Sequence, residues 1–141
     1  MAIDGERGRV LTKRLRHDDY AAVADVRAAL REMLRHWGGP GRADLAELLT
    51  SELVTNALVH TGQGARFTAT LSGGAFGPVA GRLRVEVRDF ASRHPTLRGR
   101  LPEDSTSGRG LLLVHTLADA WGVRAHGVGK AVWFELEADG G

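Results

Sequence analysis

Glu52 and Asn56 are the first residues of this chain whose types and spacing could do chemistry. Four positions apart in Ser51-Glu52-Leu53-Val54-Thr55-Asn56, they share one face of a helix and stand one turn from each other. They continue a row Leu48, Glu52, Asn56, Val59, beside the apolar row Leu45, Leu49, Leu53, Ala57. Polar groups there need partners, because burying one unpaired costs about 1–3 kcal/mol. A carboxylate beside a neutral amide oxygen suits Mg2+ held mainly by phosphates, since that ion takes one or two protein oxygens plus substrate oxygens. The carboxylate can alternatively orient an attacking water or hydroxyl as general base. The plainer alternative is a glutamate on a solvated edge and an asparagine bonded within its own helix.

Asp89 is the second candidate. In the alternation Leu83, Val85, Val87, Asp89 it falls on the inward face of a strand, where a long loop departs. An ionised carboxylate only accepts hydrogen bonds, so the exocyclic amino group of a purine would suit it. A salt bridge to Arg88 or Arg93, or a cap on the loop, would serve equally well. The third candidate is Ser105-Thr106-Ser107-Gly108-Arg109-Gly110-Leu111-Leu112-Leu113. Hydroxyls and glycines ahead of an apolar helix can offer free N–H groups to a phosphate, although Ser or Thr in that place is first of all an N-cap. The run is neither a dinucleotide fingerprint, which needs a third glycine and a preceding strand, nor a Walker A loop.

The elements that must position these residues follow from periodicity. A first strand is expected over 10–16, and a helix over 17–37, capped by Asp18 or Asp19, with Ala22, Val23, Val26, Ala29, Leu30, Met33, Leu34 and Trp37 at core spacing. Gly38-Gly39-Pro40-Gly41 ends it. The Glu52 helix spans 43–60. Two alternating strands, 66–71 and 82–90, flank a loose glycine-rich loop over 72–81. Residues 91–107 carry two prolines and no apolar period, and a loop of that length is usually functional or disordered. A helix from Gly110 to Ala120 would turn Leu111, Leu112, Val114, Leu117, Ala118 and Trp121 to the core, and strands 121–126 and 130–137 close the chain. This order predicts an α+β fold, a two-layer sandwich with helices on one face of a mixed sheet.

The 141 residues suffice for one domain, 1–141, with one core. Hydrophobic residues make up 43% and charged residues 26%, ordinary for a globular protein. No apolar run reaches membrane-spanning length, and the basic N-terminus lacks the hydrophobic stretch of a signal peptide. The absence of cysteine excludes disulfides and thiolate metal sites, so a cytoplasmic location is expected. A net charge of +2 with 6% aromatics argues against nucleic-acid binding. None of His17, His36, His94, His115 and His126 has metal-ligand spacing; His60, at a helix end, complements the helix dipole or contacts a phosphate.

Taken in order, a helix with Glu-x-x-x-Asn, a strand ending in Asp, a long loop, Gly-x-Gly and a helix, the chain resembles the GHKL (Bergerat-fold) ATPase superfamily. Within it the chain is most similar to small bacterial anti-sigma-factor serine/threonine kinases and stand-alone histidine-kinase-like ATPase domains. The resemblance spans nearly the whole chain, and Glu52-Leu53-Val54-Thr55-Asn56-Ala57-Leu58-Val59-His60 is its most specific stretch. It implies Glu52 as catalytic base, Asn56 as Mg2+ ligand and Asp89 at the adenine amino group. It also implies an ATP lid over 91–107, with Ala91, Ser107, Gly108, Arg109, Gly110, Leu111 and Lys130 at the nucleotide. The implied partners are a sigma factor and an anti-anti-sigma antagonist, without direct nucleic acid or membrane contact. The first strand would complete the sheet or pair into a homodimer. A binding module without phosphoryl transfer is the alternative, and a detached sensor-kinase ATPase domain would need a separate partner carrying the phospho-acceptor histidine. Two departures stand out: Ala91 and Arg93 occupy the glycine places after Asp89, and Gly129-Lys130-Ala131 offers no threonine.

Overall fold

The structure, a computed structural model, describes residues 9–16, 20–60, 64–74, 77–90, 106–125 and 129–139; at 59–60, 74, 77–80 and 106–111 it describes the backbone path alone. The elements are β1 (Arg9–Leu15), α1 (Ala21–Met33), α2 (Arg42–His60), β2 (Ala65–Gly74), β3 (Gly77–Asp89), α3 (Thr106–Leu117), β4 (Ala120–Ala125) and β5 (Lys130–Glu137). The five strands form one sheet in the order β1-β2-β3-β5-β4.

Every neighbouring pair in that sheet is antiparallel, which corrects the expected mixed sheet. The crossover from β3 through α3 does deliver β4 in the same direction as β3, but one place away. β5 then turns back and fills the gap, so no two parallel strands touch.

Side-chain alternation divides the sheet into two faces. Phe67, Ala69 and Leu71 of β2, Leu83, Val85 and Val87 of β3, and Phe134 and Leu136 of β5 are buried on the inner face. α2 lies against β2, β3 and β5 there, with α1 and α3 packed on either side of it. Its buried face includes Ala46, Leu49, Leu53, Val54 and Leu58, while α1 contributes Ala22, Val26, Leu30 and Met33. The outer face is polar. Arg84 bonds Glu135 at 3.0 Å and lies 4.2 Å over the Trp133 ring. That ring covers Gly122, where an added Cβ would come within 2.8 Å of it.

Local boundaries shift for identifiable reasons. The N-cap of α1 is Tyr20, which makes no side-chain cap bond; Asp18 and Asp19 lie outside the described residues. The 72–81 stretch is largely strand rather than loose loop, since the ladder continues to Gly74↔Gly77 past a register shift. Ladder hydrogen bonds come from the backbone, so side-chain-poor residues can extend it. Within the same stretch, the buried Trp37 ring donates Nε1–H to Gly81 O at 2.9 Å. α3 begins at Thr106, before the expected Gly110, and its Leu112 and Leu117 are exposed rather than core. The run Leu111-Leu112-Leu113-Val114 is apolar on every side, so its period could not identify the packed face; Val114 is buried and Leu113 packs against the core.

At one end of the sheet a polar knot ties three elements together. Asp119 Oδ2 accepts from Arg42 at 2.9 Å and from the Glu137 amide at 2.7 Å, and Arg42 Nε donates to Glu137 O at 3.1 Å. Gly39 adds a backbone bond to Ala138 O. Among the described residues, no helix is long and apolar enough to cross a membrane.

Candidate functional site

Burial deepens along the polar row of α2. Leu48 is 44% exposed, Glu52 is half-buried, and Asn56 is 9% exposed. Leu48 is therefore no apolar companion to Asn56, although Ala46 and Leu49 beside it are fully buried. Sequence reasoning passed over Thr50 and Ser51, whose hydroxyl oxygens are buried without a hydrogen-bond partner. Their residue types carry no signal, because helical Ser and Thr more often face solvent or bond back to their own helix.

Asp89 terminates β3 on the inner face and is 5% exposed. Among the described residues, its cationic partner is distant in sequence. Lys130 donates its backbone N–H to Asp89 Oδ1 and its Nζ to Oδ2, both at 3.2 Å. Arg88, the neighbour expected as a salt-bridge partner, points to the other face and lies 5.1 Å over the Phe90 ring; Arg93 lies outside the described residues. The Lys130 side chain remains 43% exposed while that of Asp89 is 7% exposed. Gly129 makes this approach possible. Its φ is +85°, and a Cβ there would come within 2.1 Å of Asp89 O and 2.8 Å of Asp89 Oδ1. The composition of the turn hinted at Gly129, but the β3–β5 register that sets it against Asp89 has no local signature.

The third group stands differently from expectation. Ser107, Gly108, Arg109, Gly110 and Leu111 belong to the first turns of α3 rather than to a turn before it. The first four N–H groups of a helix lack intrahelical partners, so the backbone at 107–109 still supplies donors for an anion, whereas the amides of Gly110 and Leu111 fall within the helical ladder. Ala91 and the remainder of the loop to 105 lie outside the described residues.

Topology gathers the first two groups at one edge. α2 ends at His60, and β2 begins at Ala65, the register partner of Asp89. The Asn56 half of α2 and the Asp89 end of β3 thus lie at the same end of the sandwich, and α3 packs alongside α2. Their chemistry is compatible with a nucleotide. A buried acceptor-only carboxylate suits a base amino group, and a buried amide one turn from a half-buried carboxylate suits a cation held by phosphates. The family model of the histidine kinase-like ATPase domain matches residues 17–136, a span that includes all these groups. The chain belongs to that family. It is a histidine-kinase-like ATPase module that binds ATP, on the α+β sandwich expected of it. Among curated proteins, none matches this chain.

Proposed function

We propose that this ATPase module is an anti-sigma-type serine/threonine kinase of the cytoplasm, which binds a sigma factor and phosphorylates a small antagonist protein. The observation that carries the reading is the burial gradient on α2: a buried Asn56 one turn beyond a Glu52 that is only half-buried. A catalytic carboxylate must reach both substrate and solvent-derived protons, whereas a cation ligand is best held rigid. In this reading Glu52 accepts the proton of the acceptor hydroxyl as that oxygen bonds to the transferred phosphorus and ADP departs. The Asn56 side-chain oxygen would help hold the Mg2+ that accompanies the phosphates. Asp89 accepts from the adenine amino group, and the first turn of α3 offers amides to the phosphates.

A binding module of the same fold, without transfer, is the second reading. Lys130 on the Asp89 carboxylate favours it, together with Ala91 and Arg93 in the superfamily's glycine places and Gly129-Lys130-Ala131 without its threonine. The two separate on Glu52→Gln, which keeps shape but removes the base. General-base assistance is worth about 10²- to 10⁴-fold, so phosphate transfer to an antagonist should collapse while ATP affinity, measured by calorimetry, holds. Asn56→Ala should weaken Mg2+-dependent binding itself. Equal loss of binding in both variants would make Glu52 a structural partner, and absence of transfer by the unaltered protein across the plausible antagonists would leave the binding-module reading standing.

A further inference from the structure

The register of the sheet assembles a feature that no single stretch of sequence displays. Arg14 pairs with Arg66, and Arg66 pairs with Arg88, so three arginines stand side by side across β1, β2 and β3 on the outer face. Arg14 and Arg66 are exposed and make no ion pair among the described residues. The Nε of Arg88 is buried without a hydrogen-bond partner. Like charges directly opposite each other on neighbouring strands oppose pairing. Elsewhere on this face the problem is solved: Arg82 and Arg84 are matched by Glu135, Glu137 and Glu86, and Arg124 by Glu86. Every described outward glutamate is engaged by those arginines, leaving the row without counter-charge among the described residues.

We propose that Arg14, Arg66 and Arg88 form a docking surface for an acidic, extended segment of a partner protein. Neighbouring strands are about 4.8 Å apart, so the row spans roughly 10 Å, and same-side residues of an extended peptide repeat about every 6.7 Å. Two carboxylates in a Glu-x-Glu pattern laid across the strands therefore reach the row. The planar fork of guanidinium binds carboxylate through two parallel hydrogen bonds, which gives the match direction as well as charge. The surroundings select a short acidic peptide over a nucleic-acid strand. Beyond the row the arginines of this face are already matched by Glu86, Glu135 and Glu137, so a backbone with continuous negative charge would find no further unmatched arginine there. The surface lies opposite the helices, and its recognition needs no nucleotide.

The test uses the full chain and a fluorescein-labelled peptide of alternating glutamate and serine, read by anisotropy at low salt. Binding should weaken about tenfold or more in Arg14→Glu/Arg66→Glu, and weaken also in Arg14→Thr/Arg66→Thr, whose threonines keep strand-forming residues at both positions. Arg35→Glu, a single charge reversal in the turn after α1, should leave it unaltered. Circular dichroism confirms the fold of each variant. Binding that ignores Arg14 and Arg66 overturns the proposal. Tighter arginine-dependent binding of a single-stranded oligonucleotide of equal charge, or arginine-dependent self-association in sedimentation, overturns it in favour of nucleic acid or a second copy.

Discussion

Two carboxylates bracket β5, and they serve opposite purposes. At the far end Asp119 accepts the Glu137 amide and the Arg42 guanidinium; at the near end Asp89 accepts the Lys130 amide and the Lys130 ammonium. Each aspartate thus holds a terminal residue of the same strand and a cation. The cations differ. Arg42 is held a second time by Glu137 O, and its side chain is 17% exposed, so the knot is closed within the protein. Lys130 holds Asp89 with an ammonium on a side chain that is 43% exposed and can move into water while the carboxylate stays buried. A buried acceptor with a removable cation is a place for a ligand; a carboxylate locked by a pinned arginine is a rivet. The same chemistry becomes structure or site according to what else restrains the positive partner.

The hardest way to break the comparison is through the glycines behind each end. Gly129→Ala puts a Cβ against Asp89 backbone at positive φ, with nothing flexible to yield, and should cost about 2–4 kcal/mol in denaturant unfolding. Gly38→Ala, at φ +84°, meets Arg42 Cβ at 2.9 Å and Ala138 O at 3.3 Å, a smaller overlap than at Gly129, and should cost about 1–3 kcal/mol. Equal costs at the two sites would show that the near end is no more tightly built than the far one. Next come the aspartates themselves. Asp89→Asn should weaken ATP binding about tenfold to a hundredfold with the fold retained, because the charge-assisted bond it replaces is worth roughly 1.5–3 kcal/mol. Asp119→Asn should leave ATP affinity unaltered and lower stability instead, by a similar order. A loss of affinity in Asp119→Asn would merge the two roles.

The smallest effect supplies a control away from both ends. Glu47 of α2 receives Arg27 and Arg31 of α1. Burial works to raise its carboxyl, but the hydrogen bonds and charges of Arg31 and Arg27 outweigh it and hold the group below its usual 4.5. A depressed folded-state value stabilises the protein above the unfolded value and ceases to do so as pH falls through the folded one. Both arginines are largely in water, at 48% and 61% side-chain exposure, so Glu47→Gln should cost only about 0.5–1 kcal/mol at neutral pH. That difference should vanish in acid, as urea titrations at several pH values would show. A difference that persists in acid would assign the effect to packing.

Much of this architecture is legible in the chain because it rests on local periodicity. The alternation through Leu83, Val85 and Val87 places Asp89 inward, and helical spacing places Asn56 one turn past Glu52. Where the signal is not periodic, it misleads. Leu112 and Leu117 are exposed because an all-apolar run marks no face, and the glycine-rich 72–81 stretch extends strands that its residue types would not suggest.

By itself the sequence determined which helix carries Glu52 and Asn56, which strand ends in Asp89, and the α+β class, since each depends on residues within one or two turns of one another. Only the tertiary structure decided the rest: an antiparallel sheet, Lys130 rather than Arg88 on the Asp89 carboxylate, the close approach of Gly129, and three arginines in a row from three strands. The physical reason is register. Backbone hydrogen bonds pair strands far apart in the chain, and which side chains then become neighbours is set by that pairing and written in no local pattern.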